Sequence, residues 1–378
     1  MPVYMDCAAT TPIDPRVLEV CVQYLQQDFG NAGSRTHPHG GAARKAVEHA
    51  RDQIARVTGS HRGDVVFTSG ATESNNLAIL GLADAGAKTG KTHIVSTTIE
   101  HRAILEPLQE LKRRGFDLTL VAPSTTGRVD SSQLVDAVRE DTLLVSVMHV
   151  NNETGAVQPI EDIAERLAGK AAYFHTDAAQ GFARETRALR HQRIDLISMS
   201  AHKICGPKGT GALIARRRGR ERPPVAPLLF GGGQERGLRP GTLPVALIAA
   251  MGEAAERWST EAQVRWREGL DFRRRLLDGL APLRPVVNGD QERCLPFILN
   301  VSIPGVESET AMEAWSEFVS VSSGAACSSH SYTCSHVLAA MRLPSERAAS
   351  AIRFSWCHTT EMPDTASMVA ALQEVVCS

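Results

Sequence analysis

The chain carries almost no net charge. Its 378 residues include 41 lysines and arginines against 42 aspartates and glutamates, a formal net charge of -1. Proteins that bind nucleic acid through electrostatics normally need a basic domain, so we expect no direct nucleic-acid contact. One basic run, residues 215–224, is typical of a solvated turn, with a patch for a partner or a nucleic acid as the alternative.

Long apolar runs, internal repeats and low-complexity segments are also missing. No stretch approaches the ~18 apolar residues that span a membrane, and the first residues, "MPVYMDCAATTP", lack the basic start and apolar core of a secretory signal. These absences predict a cytoplasmic protein with no membrane partner. The hydrophobic content of 43% and the length favour a globular protein of about two domains.

The eight cysteines are scattered, and no two of them form a C-x-x-C pair. Neither a zinc site nor a thioredoxin-type redox site is therefore indicated, and no metal is predicted. Most of these thiols should be reduced, buried and inert, and we expect Cys205 to be a packing residue. Cys327 differs, because "SSGAACSSHS" (322–331) surrounds it with small and polar residues. Loop or surface positions are predicted for four histidines: His37, His39, His330 and His336.

Strands and helices alternate between about residues 40 and 250. The alternation predicts an α/β fold with a mostly parallel sheet and helices on both faces. In such sheets ligands bind beyond the carboxyl ends of the strands. The predicted strands are 64–70, 93–99, 117–123, 142–150, 172–178 and 195–201, and helices are predicted after residue 70 and over 102–114, 130–139 and 160–169.

The pattern changes after about residue 257. A long amphipathic helix is predicted over 260–283, and it leads to a smaller α+β unit. The predicted strands of that unit are 296–303, 319–324 and 351–356. We therefore predict a large cofactor-binding domain over 15–257 and a small domain formed by 1–14 and 258–378.

Lys203 is the first candidate for chemistry. It lies in "SMSAHKICGPKGTG" (198–211), after a predicted strand and before a Gly/Pro turn. A partly buried lysine loses its proton more easily, which suits covalent bonding to a carbonyl group. A surface lysine would be the more frequent explanation if this motif stood alone.

Two further motifs accompany Lys203. "HTDAAQ" (175–180) places Asp177 at a strand end, where a carboxylate can pair with a protonated pyridine nitrogen, and Gln180 can bond a ring hydroxyl. "SGATESNN" (69–76) turns into a helix N-terminus whose free N–H groups, with the Thr72 hydroxyl, suit a phosphate. Together these features predict pyridoxal 5'-phosphate as the cofactor.

With these residues the chain resembles the NifS/IscS-like cysteine desulfurases, in the aminotransferase class V group of pyridoxal-phosphate enzymes. The resemblance implies a fold type I transferase with a mostly parallel seven-stranded sheet. The matching stretches run in family order over nearly the whole chain: "DCAATTP" (6–12), "FGNAGSRTH" (29–37), "FTSGATESNNLAI" (67–79), "TTIEHRAIL" (97–105), "VMHVNNETG" (147–155), "HTDAAQ", "SAHKICGPKGTG" (200–211), "GGGQERGLRPGT" (231–242), "SSGAACSS" (322–329) and "IRFSW" (352–356).

The resemblance also implies residue roles. Lys203 holds the cofactor covalently, His101 stacks on its ring and moves protons, and Asp177 and Gln180 bond the ring nitrogen and oxygen. Asn152 and Arg353 are expected to bind the substrate carboxylate, and the planar guanidinium of Arg353 can donate to both of its oxygens. The phosphate end is expected to involve Ala71, Thr72, Ser200, His202 and, reaching the partner subunit's phosphate in a homodimer, Thr242.

Cys327 occupies the position of the family's nucleophile. The implied reaction converts L-cysteine to L-alanine and leaves the sulfur as a persulfide on Cys327, for transfer to an acceptor protein. Because the thiolate is the reactive form, we hypothesise that His101 supplies a positive charge near it. Cys334 is predicted to pack at a helix start, with a second sulfur acceptor as the alternative.

Some details depart from the common family pattern. Pro240 stands where a serine is usual, which alters a hydrogen bond near the phosphate, and the cysteine loop reads "SGAAC" rather than "SGSAC". The chain ends at Ser378, so the longer tail with which iron–sulfur enzymes hold their scaffold protein is not expected. "GNAGSRTH" (30–37) and "RPGTLPVALI" (239–248) resemble the DndA type, which supplies sulfur for DNA phosphorothioate modification.

Several functions stay open at this point. Sulfur supply for iron–sulfur clusters or other thio-cofactors is the alternative to DNA phosphorothioation. Selenocysteine lysis or transamination would use Lys203 and Asp177 without needing Cys327. A non-catalytic scaffold would bind the cofactor and release no alanine.

Overall fold

The computed structural model describes residues 1–323 and 335–377. Cys327, His330 and Cys334 lie outside the described residues. The strands are β1 Val3–Tyr4, β2 Val65–Thr68, β3 His93–Thr97, β4 Asp117–Val121, β5 Thr142–Ser146, β6 Tyr173–Asp177, β7 Leu196–Ser200, β8 Gly211–Ala215, β9 Val286–Asn288, β10 Ile298–Ser302, β11 Val319–Ser320 and β12 Ala351–Ser355.

The helices connect these strands in the predicted alternation. They are α1 Pro15–Gln26, α2 Pro38–Thr58, α3 Ala71–Leu80, α4 Ala83–Thr89, α5 Arg102–Arg113, α6 Ser131–Asp136, α7 Ile160–Arg166, α8 Val245–Leu280, α9 Ser308–Ala314, α10 His336–Ala340, α11 Ser345–Ala349 and α12 Thr365–Cys377. Among the helices in the described part of the chain, none combines the length and apolar character that a membrane crossing requires.

The central sheet has seven strands in the order β2-β8-β7-β6-β5-β3-β4. Strand β8 runs antiparallel to both of its neighbours, and the other pairs are parallel, which confirms the predicted α/β class. Every residue of β3, β5 and β7 is buried, as expected where helices cover both faces. The carboxyl ends of the parallel strands lie at one edge, so Asp177 and Ser200, the last residues of β6 and β7, come close together.

Helix α8 begins fifteen residues earlier than the predicted start at residue 260. The sequence prediction was wrong there because the first turns are apolar on all sides and lack an amphipathic period. They are buried against α2, where an added Cβ on Gly252 would lie 2.7 Å from the Ala50 Cα. The predicted domain boundary after residue 257 falls inside this continuous helix, and the division into two domains stays a prediction.

A smaller antiparallel sheet follows α8, in the order β12-β10-β9. The N-terminal segment joins this region: β1 pairs in parallel with β11, and the Cys7 N–H donates to the Ser355 carbonyl at 3.1 Å. Segment 1–14 therefore packs with the C-terminal part of the chain although it is far from it in sequence.

The loop over residues 231–242 is fixed to the central sheet by a buried ion pair. The Arg51 guanidinium binds both carboxylate oxygens of Glu235, at 2.7 and 3.0 Å, and one of these oxygens accepts the Phe67 N–H at 2.8 Å. The guanidinium also lies 4.5 Å from the centre of the Phe67 ring. Because the pair is buried, a substitution that removes only one of its two charges is expected to lower the stability of the protein strongly.

We predict that Glu235→Ala destabilises the protein by about 3–5 kcal/mol, because it removes the buried carboxylate opposite the Arg51 charge and leaves only the half-exposed Glu48 at 3.2 Å and the Val65 carbonyl as its partners. Glu256→Ala is the matched control, since Glu256 pairs with Arg56 at 2.6 Å on the surface and should cost under ~1 kcal/mol. Urea unfolding followed by circular dichroism measures both. Equal shifts of the two midpoints would contradict the assigned role of the buried pair.

Candidate active site

A cavity of about 680 Å³ opens at the carboxyl ends of the central strands. Ser322, which precedes Cys327 by five residues in the sequence, also lines it. Thr242 is exposed and is not part of the lining, so its predicted role toward a partner subunit stays a prediction. The lining includes the other described residues predicted from the sequence, namely Ala71, Thr72, His101, Asn152, Asp177, Gln180, Ser200, His202, Lys203 and Arg353.

Lys203 ends the short 3-10 turn that follows β7. Its Nζ donates to the backbone carbonyls of Ala8 and Ala9, the latter at 2.8 Å. Burial, with the nearby charges of Arg353 and Arg184, lowers the pKa of Lys203 to about 7. A sizeable fraction of this amine is therefore neutral, and so nucleophilic and basic, at neutral pH.

Asp177 is held by hydrogen bonds to both carboxylate oxygens, from Asn75 Nδ2 at 2.8 Å and from the Ala179 N–H at 2.9 Å. Gln180 Nε2 donates to the Ala8 carbonyl at 2.9 Å. Two buried acceptors here, Asn75 Oδ1 and Gln180 Oε1, have no hydrogen-bond partner within residues 1–323 and 335–377. Unpaired buried polar atoms cost about 1–3 kcal/mol each, so they indicate a ligand that would pair with them.

The N-terminus of α3 forms the other end of the site. Gly70 is the residue that precedes the first helical residue, Ala71. Its φ of 155° is a backbone conformation that favours glycine, and it has no side chain that could cap the helix. An added Cβ on Gly211 would lie 2.6 Å from the Gly70 Cα, so only glycine allows this approach. His202 Nδ1 lies 3.2 Å from Thr10 Oγ1, and burial and the Lys203 charge lower the pKa of His202 to about 4. Free N–H groups at a helix start suit a phosphate.

His101 caps the N-terminus of α5. Its Nδ1 accepts the Ala103 N–H at 3.1 Å, so the neutral ring carries its proton on Nε2. Burial lowers the pKa of His101, an effect partly offset by Asp177 and increased by Lys203. The ring is therefore neutral at pH 7, and the hypothesis that it supplies a positive charge to Cys327 is not supported.

Arg353 projects from β12 into the same cavity. Nη1 donates to the Asn152 carbonyl at 3.0 Å, and Nη2 to Asp6 Oδ1 at 2.7 Å. Its Nε is buried and has no hydrogen-bond partner in the described part of the chain. The Nε–H and the second hydrogen of each terminal nitrogen are thus left to donate to a substrate carboxylate. Asn152 contributes its backbone here, and the role of its side chain stays a prediction.

Three further residues in or beside the site were given no role from the sequence. Asn75 and Asp6 lie within quoted motifs, but their partners Asp177 and Arg353 come from remote segments. Glu100 is buried beside His101, where it accepts from Thr97 Oγ1 at 2.7 Å and from the Met148 N–H at 2.9 Å. Burial raises the pKa of Glu100 to about 8, so it is mostly protonated at neutral pH.

Comparison with known proteins identifies the family. The aminotransferase class-V family model matches residues 3–366. The chain belongs to this family. It is 46% identical to the cysteine desulfurase IscS of Vibrio cholerae serotype O1 over 359 residues, which cover 94% of the chain and 88% of that protein.

Solved structures agree with this class V assignment. The chain is similar to DndA from Streptomyces lividans, with 46% identity, a TM-score of 0.82 and coverage of 94% of this chain and 99% of that one. It is also similar to a NifS-like protein, with 35% identity, a TM-score of 0.90 and full coverage of both chains. The predicted resemblance and fold are confirmed.

Class V aminotransferases depend on pyridoxal 5'-phosphate, which confirms the predicted cofactor. The residues of this cavity fit it: Lys203 would hold it, Asp177 would pair with the ring nitrogen, and the unpaired Gln180 Oε1 would accept from a ring hydroxyl. The N-terminus of α3 and Ser200 would bind the phosphate. These individual roles remain predictions.

We predict that Lys203 of the cofactor-free protein reacts with an amine-selective acylating reagent with a midpoint near pH 7, because burial has lowered its pKa to about 7. Reactivity should be low at pH 5.5, where the amine is charged, and near its plateau at pH 8.5. Peptide mass spectrometry measures the labelling, with the exposed Lys170 as an internal reference. A Lys203 profile that is still rising above pH 9 would contradict the lowered pKa.

Proposed function

We propose that this class V enzyme is a cysteine desulfurase that converts L-cysteine to L-alanine and carries the released sulfur as a persulfide on Cys327. The observation that carries the proposal is the meeting of the Lys203 amine and the Arg353 guanidinium in one cavity. The first is basic at neutral pH, and the second has a buried donor with no protein partner within residues 1–323 and 335–377. The activity named for the V. cholerae relative supports it.

Arg353 binds and orients the substrate. Each terminal nitrogen donates one hydrogen bond, to Asn152 or to Asp6, and these bonds fix the plane of the guanidinium. The Nε–H, the second hydrogen of each terminal nitrogen and the positive charge hold the carboxylate of L-cysteine at one end of the cavity. An amino acid fixed in this way presents its amino group and Cα toward Lys203.

Lys203 moves the proton of the substrate Cα. The cofactor, when bound, supplies an electron sink for the charge left on that carbon. The Nζ, with its pKa near 7, accepts a proton at neutral pH and can return it later. The neutral His101, with its proton on Nε2, can donate to or accept from the reacting groups without a change in the charge of the site.

Cys327 takes the sulfur. Its thiolate attacks the sulfur of L-cysteine, a sulfur–sulfur bond forms, and the Cβ–sulfur bond of the substrate breaks. The bonding electron pair stays with the carbon fragment, which takes up protons and leaves as L-alanine. The persulfide then passes its outer sulfur to the thiol of an acceptor protein.

We assign the sulfur to DNA phosphorothioate modification, through a partner enzyme and without direct DNA contact. The similarity to DndA from S. lividans and the stretches 30–37 and 239–248 support this recipient. The comparable identity to IscS favours the alternative, sulfur supply for iron–sulfur clusters. A homodimer in which Thr242 completes the partner's phosphate site agrees with the exposed position of that residue.

We predict that Cys327→Ser abolishes persulfide formation and alanine release from L-cysteine while the bound cofactor keeps its visible absorbance. Cys294→Ser, which changes a buried cysteine outside the cavity, is the matched control and should keep full activity. Alanine and persulfide are measured for each protein. Full alanine release by Cys327→Ser would refute the assignment, and a wild type that releases none would identify a scaffold.

We also predict that Arg353→Lys lowers kcat/KM for L-cysteine about 10- to 100-fold, mainly through KM. The loss of one charged hydrogen bond corresponds to about 1.5–3 kcal/mol of binding. Arg347→Lys is the control, since Arg347 bonds Asn288 at 2.7 Å outside the cavity. An unchanged KM in Arg353→Lys would mean that the carboxylate is bound elsewhere.

A further inference from the structure

Three buried cysteines and a histidine meet behind the Lys203 turn. Cys7, Cys205 and Cys357 are each no more than 2% exposed. The ligand atoms of Cys205, Cys357 and His358 all lie within 4.8 Å of one another, and Cys205 Sγ is 4.0 Å from His358 Nδ1. The Cys357 thiol lies beside those of Cys7 and Cys205. Cys205, Cys357 and His358 therefore form one compact group of two sulfurs and one ring nitrogen, and the Cys7 thiol lies next to it.

The cluster is assembled from three separate parts of the chain. Cys7 lies in the N-terminal segment, Cys205 in the turn two residues after Lys203, and Cys357 and His358 directly after β12. Cys205 has a φ of 59°, which is uncommon for a residue with a side chain. No sequence spacing announces such a group, which is why the scattered cysteines gave no prediction of a metal.

The histidine has the surroundings of a metal ligand. Its Nε2 lies 3.4 Å from Asp14 Oδ2 on the side away from the sulfurs. When a carboxylate accepts the N–H of one ring nitrogen, the second ring nitrogen keeps its lone pair for a metal. Such carboxylate–histidine pairs are frequent around bound zinc. Nδ1 of His358 is accordingly the nitrogen that faces Cys205.

A buried cation stands beside the sulfurs. Arg184 is 4% exposed, lies 4.9 Å from the centre of the Trp258 ring and donates to the Lys203 carbonyl. It makes no ion pair with a carboxylate in the described part of the chain, and its Nε has no hydrogen-bond partner there. Thiolates that bind a metal at this position would offset the Arg184 charge.

We propose that Cys7, Cys205, Cys357 and His358 bind a Zn²⁺ ion in a tetrahedral Cys3His site. Zinc–sulfur bonds of about 2.3 Å and a zinc–nitrogen bond of about 2.0 Å place the ligand atoms roughly 3.5–4 Å apart. Small movements bring Cys205, Cys357 and His358 to this spacing, and the neighbouring Cys7 thiol moves toward them to complete the tetrahedron. Three thiolates and Zn²⁺ together carry one negative charge, which Arg184 balances. None of the four ligands lines the substrate cavity.

The zinc site is structural and independent of the proposed reaction. It ties the turn that carries Lys203 to the N-terminal segment and to the end of β12. A closed site with four protein ligands contributes folding free energy and takes no part in chemistry. Sulfur transfer through these thiols is not part of the proposal, because they are buried outside the cavity.

The first test uses the wild-type holoenzyme, purified without chelator, with zinc measured by inductively coupled plasma mass spectrometry. We expect one Zn²⁺ per chain that survives dialysis and returns after chelation when zinc alone is added. Cobalt(II) in its place should give the intense thiolate-to-metal absorption of a tetrahedral sulfur site. The absence of retained zinc, or of that absorption, would overturn the proposal even if every variant misfolded.

The second test assigns the ligands. Cys205→Ser and Cys357→Ser should each lose the zinc, while Cys21→Ser and Cys294→Ser, which change buried cysteines elsewhere, should keep it. Cys327→Ser should also keep it. Zinc that is retained by Cys205→Ser and Cys357→Ser, or that is lost in Cys327→Ser, would place the metal elsewhere and overturn the proposal. Chelation should lower the unfolding temperature of the wild type and leave that of Cys205→Ser unchanged.

Discussion

The burial of the Lys203 amine beneath the backbone carbonyls of Ala8 and Ala9 is the contact on which the site depends. The two neutral carbonyls hold the amine in place, and burial, with the charges of Arg353 and Arg184, disfavours its protonated form. Its pKa therefore falls to about 7, and the same nitrogen can bond a carbonyl group and move protons near neutral pH. A carboxylate in place of these carbonyls would favour a permanently charged lysine.

The N-terminal segment is held in this position at both ends. On one side Thr11 Oγ1 donates to the His202 carbonyl and accepts the Cys205 N–H, each at 2.9 Å. On the other side Asp6 binds Arg353, which belongs to the smaller sheet. A few residues thus join the amine of the central sheet to the carboxylate-binding guanidinium. The two groups that act on one amino acid are positioned by a single short segment.

The sequence predicts those parts of the fold and site that depend on local pattern. Parallel strands bring their carboxyl ends to one edge, so Asp177 and Ser200 were correctly expected near the Lys203 turn. Contacts between remote segments leave no such pattern. The Asn75 contact to Asp177 and the cysteine cluster around Cys357 form only when remote segments pack together. The start of α8 was missed for another reason: its first turns are apolar on all sides and show no amphipathic period.

A single turnover shows directly whether Cys327 takes the sulfur of L-cysteine. The holoenzyme is mixed with less than one equivalent of L-cysteine, quenched, digested and analysed by mass spectrometry. We expect the Cys327 peptide to gain the mass of one sulfur atom for each alanine released, and Lys203→Ala to produce neither. Alanine release with an unmodified Cys327 peptide, or with the added sulfur on Cys334 alone, would contradict the role of Cys327.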